Sequence, residues 1–232
     1  MPGKKYRKLL TIILIIGIIA ILGLVGYFGY DMYKKYNLEK GSEDAIAEFE
    51  NLISEGNVVE ISKEKPENEF ITNNTIEEQQ QEQQLTPTQT PTYTTKKTTY
   101  SYKNFVMIGY IEIPKTKVKY PIVQDTTLQA YETAIVYLYG PGLNQTGNSL
   151  IVGHNYKNGL FFSNNKKLAN GDKIYITDGT GAKMTYTIYN KYDTTEEDVS
   201  YLQRDTADRK EITLSTCTDN LKGRTIIWAK AD

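Results

Sequence analysis

Hydrophobic and polar positions divide the chain into three stretches of different rhythm. From Leu9 to Tyr30 the apolar residues run on without a period, rich in Ile and Leu and free of charge. Roughly twenty-two such residues suffice to cross the hydrocarbon core of a bilayer, and Gly17, Gly23, Gly26 and Gly29 are tolerated in a helix of that kind. Lys4, Lys5, Arg7 and Lys8 precede the run. A positive flank stays in the cytoplasm, so the pattern predicts a single-pass helix over 9–30 in the cell membrane, with residues 1–8 inside and the rest of the chain outside. A cleaved signal peptide is the alternative, but the run is long for one and no small-residue cleavage motif closes it.

The second stretch, residues 31–103, has little apolar content and reads as a stalk. Within it Ala45, Ile46, Phe49, Leu52 and Ile53 recur at helical spacing, with Ser42 as a cap, which predicts a marginal helix over Glu43–Ile53 on a tether. From Glu64 to Tyr100 the composition collapses into Glu, Gln, Asn, Thr and Pro, including Gln79–Gln84 and Thr86–Thr92. Such a tract cannot build a core and is expected to be an extended spacer that holds the following domain off the membrane. Asn73-Asn74-Thr75 matches a glycosylation sequon, which carries little weight here.

From Asn104 the rhythm becomes that of strands. Short β-type runs cover Phe105–Ile113, Val118–Gln124, Ala134–Tyr139, Ser149–His154, Lys173–Thr177, a run from Lys183, Glu211–Cys217 and Arg224–Lys230. In the run from Lys183, Met184, Tyr186 and Ile188 share a face that polar Asn190 interrupts before Tyr192. Pro121 suggests an edge or bend. Gly, Asn and Asp punctuate the runs, and helical turns are expected at Thr127–Glu132, Leu160–Leu168 and Thr195–Leu202. Eight short strands in about 129 residues (104–232) predict an all-β fold with short helices, a closed barrel or a sandwich.

Charge changes this picture little: 27 basic against 28 acidic residues leave a net charge of −1, which gives no basic signal for nucleic acid. The chemistry is more informative. The chain has one cysteine, Cys217, and one histidine, His154, each at the end of an apolar strand. An unpaired thiol in an exported chain points to a reactive residue or to intermolecular pairing. Arg224 opens the returning strand seven positions on (224 − 217), so a hairpin-like return brings guanidinium and thiol together. Through the fold His154 can join them as the base of a nucleophile–base pair. Each residue also has a plain reading: a buried small hydrophobe, a turn histidine and an ion-paired strand arginine. One His and one Cys do not supply a zinc set, and Glu196-Glu197-Asp198 reads as an exposed acidic turn before it reads as a calcium site, so no cofactor is expected.

Thr213-Leu214-Ser215-Thr216-Cys217, with Arg224 downstream and Gly153-His154-Asn155 sixty-three residues upstream (217 − 154), resembles the sortases, cysteine transpeptidases of Gram-positive surfaces. The resemblance covers roughly Asn104–Asp232. Tyr120-Pro121-Ile122-Val123-Gln124 and the run from Gly153 to Gly159 leading to Phe161-Phe162 look like the class B branch. Class B members carry a helix-containing insertion before the Cys strand, where this chain has only Thr194–Lys210. The resemblance implies an eight-stranded sortase barrel, with Cys217 as nucleophile, His154 as acid–base and Arg224 as oxyanion or substrate holder. Thr216 and Ser215 become weaker substrate-binding candidates, and Asn155 and Asp219 weaker still. It also implies a C-terminal sorting signal of a surface protein as substrate, and as acceptor an amine of peptidoglycan or a pilin lysine. The same three residues would serve a thiol hydrolase, and a stalked β-domain with an inert Cys217 would be an adhesion or scaffold module.

Overall fold

The computed structural model describes residues 3–59 and 96–232. Helix α1 runs unbroken from Lys4 to Ser54. Its first part presents large apolar side chains to the outside from Tyr6 to Tyr36 and is long and apolar enough to cross a membrane. Its second part is amphipathic. Leu38, Ser42, Ala45, Ile46 and Phe49 are buried on one stripe, the spacing that puts residues on one helix face. The helix expected over Glu43–Ile53 is therefore the end of a continuous rod docked on the folded domain. Ser42 is not its cap: it lies inside the helix, where its hydroxyl donates to the Leu38 carbonyl at 2.9 Å and faces the Tyr102 hydroxyl at 3.4 Å. Tyr100 and Tyr110 donate to Glu48 (3.0 Å) and Glu50 (2.6 Å) on the same helix.

Asn57–Val59 pairs in parallel with Lys96–Thr98, so the two chain ends flanking residues 60–95 lie side by side. The Gln/Thr/Pro tract, but for its last few positions, and the whole sequon at 73–75 fall outside the described residues.

Eight strands form the domain: β1 (Phe105–Ile113), β2 (Val118–Val123), β3 (Ile135–Tyr139), β4 (Gly147–Val152), β5 (Lys173–Asp178), β6 (Lys183–Thr194), β7 (Lys210–Cys217) and β8 (Arg224–Ala231). Neighbours run β1-β2-β3-β4-β7-β8-β6-β5, and β5 pairs with β1 to close the barrel. A two-residue strand, Ser101–Tyr102, adds to β1. Closure removes the free edges that an open sheet would expose. Pro121 fits because β2 meets β3 only at Ile122 and Val123, leaving that side of the strand unpaired at the proline.

Period-two alternation separates two faces. Ile111, Ile122, Ile151, Ile176, Leu214 and Ile227 fill the interior. Met107, Val123 and Val136 lie outside it, under α1 with Phe49 and Ile46. A third cluster, Leu150, Ile226, Leu138, Val152 and Trp228, lies outside β3, β4 and β8 beneath Tyr201. The interruption at Asn190 is a bulge: Asn190 pairs with Trp228 but Ile188 pairs with Ala229, so Tyr189 is the extra residue. Beyond it the faces exchange, and Tyr192 joins the outer cluster while Tyr186 and Ile188 stay inside.

Of the expected helical turns, the first is α2 (Leu128–Thr133), capped by the Thr127 side chain. The second is one 3₁₀ turn at Asn165–Lys167. The third is only a hydrogen-bonded turn at its end, Leu202 N to Val199 O at 3.0 Å, and not a helix. The Asp198 carboxylate accepts from Thr194 Oγ1 (2.6 Å) and Ser200 N (2.9 Å), a local arrangement that competes with helix. The β6–β7 connection is instead held by Arg204. This guanidinium reaches Glu211 (2.8 Å), Tyr189 (2.8 Å) and Asn148 (2.9 Å) and lies 4.3 Å from the Trp228 ring centre.

Candidate active site

Three strand ends build the site. β7 and β8 are antiparallel with Cys217 directly opposite Arg224. β7 and β4 are parallel with Ser215 opposite Val152, and Gly153 N donates to Ser215 O at 3.2 Å. Two residues further along each parallel strand stand Cys217 and His154, and neighbouring strands are about 4.8 Å apart. Parity then sets direction. Leu214 and Ile227 point into the barrel, so Ser215, Cys217 and Arg224 point out, onto the face that carries Val152 and Leu138.

Gly153 leaves the room its neighbours need there. A Cβ at that position would stand 2.6 Å from Ile135 Cδ1 and 2.8 Å from the Phe162 ring. Gly223 does the same before Arg224, where a Cβ would meet Thr194 O at 2.3 Å.

Cys217, His154 and Arg224 line one cavity of about 280 Å³ with Ser215, Thr216, Tyr131 and Tyr201. Arg224 Nη1 is 2.8 Å from Cys217 Sγ, a charge-assisted contact to sulfur. His154 is half-buried between Tyr156 (ring centres 4.7 Å apart) and Tyr131 (6.4 Å). Burial lowers its imidazole below the usual histidine range, and Glu132 opposes this weakly by favouring the cation. Its Nε2 is buried and makes no hydrogen bond. Thr216 is buried and its hydroxyl is likewise unpartnered; it reaches this cavity and a second one.

That second cavity, about 700 Å³, opens on the other side of Cys217 between the β7–β8 loop, the end of β6 and Ser163–Lys166. Asn155 and Asp219, weak candidates from the sequence, meet here. Asn155 Nδ2 donates to Cys217 O and to Asp219 Oδ1, both at 3.0 Å, and Lys166 donates to Asp219 at 2.8 Å. These bonds tie the histidine segment to the cysteine loop. The tyrosines flanking His154 and the outer-face residues Leu138, Val152 and Tyr201 were not candidates from the sequence. Tyr156 was findable, two positions after the histidine; Tyr131 comes from α2 and Tyr201 from the β6–β7 connection, both distant in sequence. Among the described residues no group of three or more His, Cys, Asp or Glu is placed to hold a metal.

The two class B-like stretches are one packing unit: the Tyr120 and Phe161 rings lie 4.9 Å apart inside the barrel. With no helix between β6 and β7, that likeness is confined to the two stretches.

The Sortase domain profile matches residues 111–232, more than half of the chain. A sortase A of Bacillus anthracis is 29% identical over 120 residues, 50% of this chain and 56% of that protein. The match thus spans little more than half the length of that curated relative. Among solved structures, sortase A of Corynebacterium diphtheriae superposes with a TM-score of 0.50 at 28% identity, over 55% of this chain and 61% of that one. A pilus-related sortase C of Group B Streptococcus gives 0.50 at 26% identity, over 54% and 67%. The closed eight-stranded barrel and the matched domain lead to one conclusion: the chain belongs to the sortase family.

Proposed function

We propose that this sortase is a membrane-anchored cysteine transpeptidase of the cell surface, held by the apolar part of α1 with residues 1–8 in the cytoplasm and the barrel outside. Its substrates would be a C-terminal sorting peptide of a surface protein and an amine from the wall or from a pilin lysine. The observation that carries the chemistry is Arg224 Nη1 at 2.8 Å from Cys217 Sγ in the cavity shared with His154.

The steps follow from the residues. Neutral His154, favoured by its burial, takes the thiol proton as Sγ attacks the scissile carbonyl. Arg224, permanently charged and forked, moves from sulfur to the developing oxyanion. His154 returns the proton to the leaving amine, the C–N bond breaks and a thioester remains on Cys217. The incoming amine then gives a proton to His154 and attacks the thioester, and sulfur departs with the proton. Ser215 and Thr216, lining the cavity, would contact the peptide. The second cavity offers the acceptor a separate approach to the thioester.

The test is to incubate the full chain in nanodiscs with a panel of sorting-type pentapeptides, with and without an oligoglycine or diamine, and to read products by mass spectrometry. An adduct of Cys217 that resolves onto the amine is the expected result. Resolution onto water alone would favour a thiol hydrolase. No adduct in folded protein would favour a non-catalytic module.

A further inference from the structure

Helix α1 does not stop where its apolar run stops. The run ends at Tyr30, the helix continues to Ser54, and the barrel is engaged at once. Lys35 Nζ donates to Asn158 O at 3.1 Å, and Leu38, 7% exposed, belongs to the same buried cluster as Leu160 and Phe161. Five residues separate Tyr30 from Lys35, about 7.5 Å along a helix axis. The headgroup layer on each side of a bilayer is about 5–8 Å thick, and tilt only shortens the height.

We infer that the Asn155–Phe161 loop is a membrane-contacting surface, seated on the phosphate layer of a phospholipid bilayer by the rigid continuation of α1. The inference rests on α1 being the anchor, as proposed above. The loop's composition suits the partner. Tyr156 and Lys157 are exposed, and Tyr33, Lys34 and Tyr36 are exposed on the helix at the same level, with Asp31 the opposing charge. Tyrosine and lysine are the side chains that settle at bilayer interfaces. The distal end of α1 faces the other way: Glu55 is twenty residues beyond Lys35, about 30 Å along the axis.

The loop also fixes the height of the thiol. His154 precedes it, and Asn155 holds the Cys217 carbonyl at 3.0 Å. Cys217 and His154 therefore stand at the membrane end of the barrel, at a height set by the helix, whatever residues 60–95 do.

The experiment uses the full chain in phospholipid nanodiscs, with Cys217→Ala to free the background and one fluorophore-labelled cysteine at a time: Lys157→Cys, Glu55→Cys or Ile19→Cys. Headgroup-linked nitroxide lipids should remove most of the emission at position 157 and leave position 55 unchanged. Mid-chain nitroxide should quench position 19. A flexible Gly-Ser insertion between Met32 and Tyr33 should abolish the quenching at 157. Emission at 157 as insensitive as at 55, with 19 quenched, would overturn the inference and leave the anchor intact. An unquenched position 19 would remove the anchor itself, and the inference with it.

Discussion

If the second half of α1 is part of the domain, truncating its central anchor must destabilise the barrel. Phe49 is fully buried among Ala45, Ile46, Met107 and Val123, with the Tyr100 ring 5.9 Å away. Phe49→Ala removes a phenyl group's burial and leaves a cavity that strands β1 and β2 cannot close, because closed barrel pairing fixes their separation. Substitutions of this kind cost about 3–5 kcal/mol, a large share of the roughly 5–15 kcal/mol that stabilises a domain. For a folded unit of this size, that lowers the midpoint of thermal unfolding by roughly 10 °C. Trp228, the only tryptophan, sits on the far side of the barrel from α1 in the outer cluster, so its fluorescence reports barrel unfolding and not helix release. A shift of that size in detergent-solubilised full chain, read at Trp228, is the expected outcome. A change within about 0.5 kcal/mol, the size ordinary for a surface position, would refute the docking argument and restore the picture of a helix on a tether.

Other consequences are more local. Cys217→Ala should abolish turnover with an unchanged circular dichroism spectrum; persisting activity would remove the nucleophile assignment. Arg224→Lys keeps the charge and loses the fork, so kcat should fall by about 10²–10³, the usual loss when an oxyanion donor goes; a near-normal rate would mean diffuse charge is enough. Because burial lowers His154, the acid limb of kcat/KM against pH should lie below the ordinary histidine value of about 6.5. Glu132→Gln removes the opposing charge and should push that limb lower still; an upward move would show the sign to be wrong. Burial alone would raise the Glu211 carboxyl, but hydrogen bonds from Tyr189, Arg204 and Arg209 outweigh it and hold the group below its usual range. Its stabilising contribution is therefore full above the ordinary carboxylate pKa and is lost as pH falls through the lowered one. Arg204→Met leaves that buried charge with Arg209 as its one ion-pair partner beside the Tyr189 hydroxyl, at an expected cost near the low end of the roughly 3–5 kcal/mol typical of breaking a buried pair, measurable by urea unfolding at pH 7.

The barrel could be read in advance because its strands are short runs of β-type residues and its turns carry Gly, Asn and Asp. All eight runs appear as strands within two residues of their expected ends. What could not be read is what depends on tertiary partners. Ser42 looks like a cap, yet it sits inside α1 because Tyr102, sixty residues away, offers its hydroxyl a place in the docked stripe. The faces of β6 exchange because Tyr189 is an extra residue against β8; the break at Asn190 shows in the sequence, but that it is a bulge depends on the pairing with β8. Thr195–Leu202 closes only the Val199–Leu202 turn, because Asp198 gathers its own local donors. Cys217, His154 and Arg224 were found as residues, while their meeting with Tyr131 and Tyr201 depends on how α2 and the β6–β7 connection pack over the outer face, which no local pattern fixes.

The convergence of the three residues has a cause more general than the signature they belong to. β7 has one parallel neighbour, β4, and one antiparallel neighbour, β8. On the parallel side, strand ends of the same sense fall together, so His154 after β4 and Cys217 at the end of β7 share one rim. On the antiparallel side, the end of β7 meets the start of β8, which puts Arg224 on that rim as well. Only a strand paired in both senses gathers two C-terminal ends and one N-terminal start around itself, and parity then turns Cys217 and Arg224 to the same outer face. Shifting β7 by one residue would turn Cys217 into the barrel against Leu214's neighbours and send Thr216 outward. The buried Asn148–Thr213–Arg204 bonds, which cross from β4 to β7 and clamp the loop above them, resist that slip. The register that aims the thiol is thus held about four residues below it, by polar groups that take no part in its chemistry.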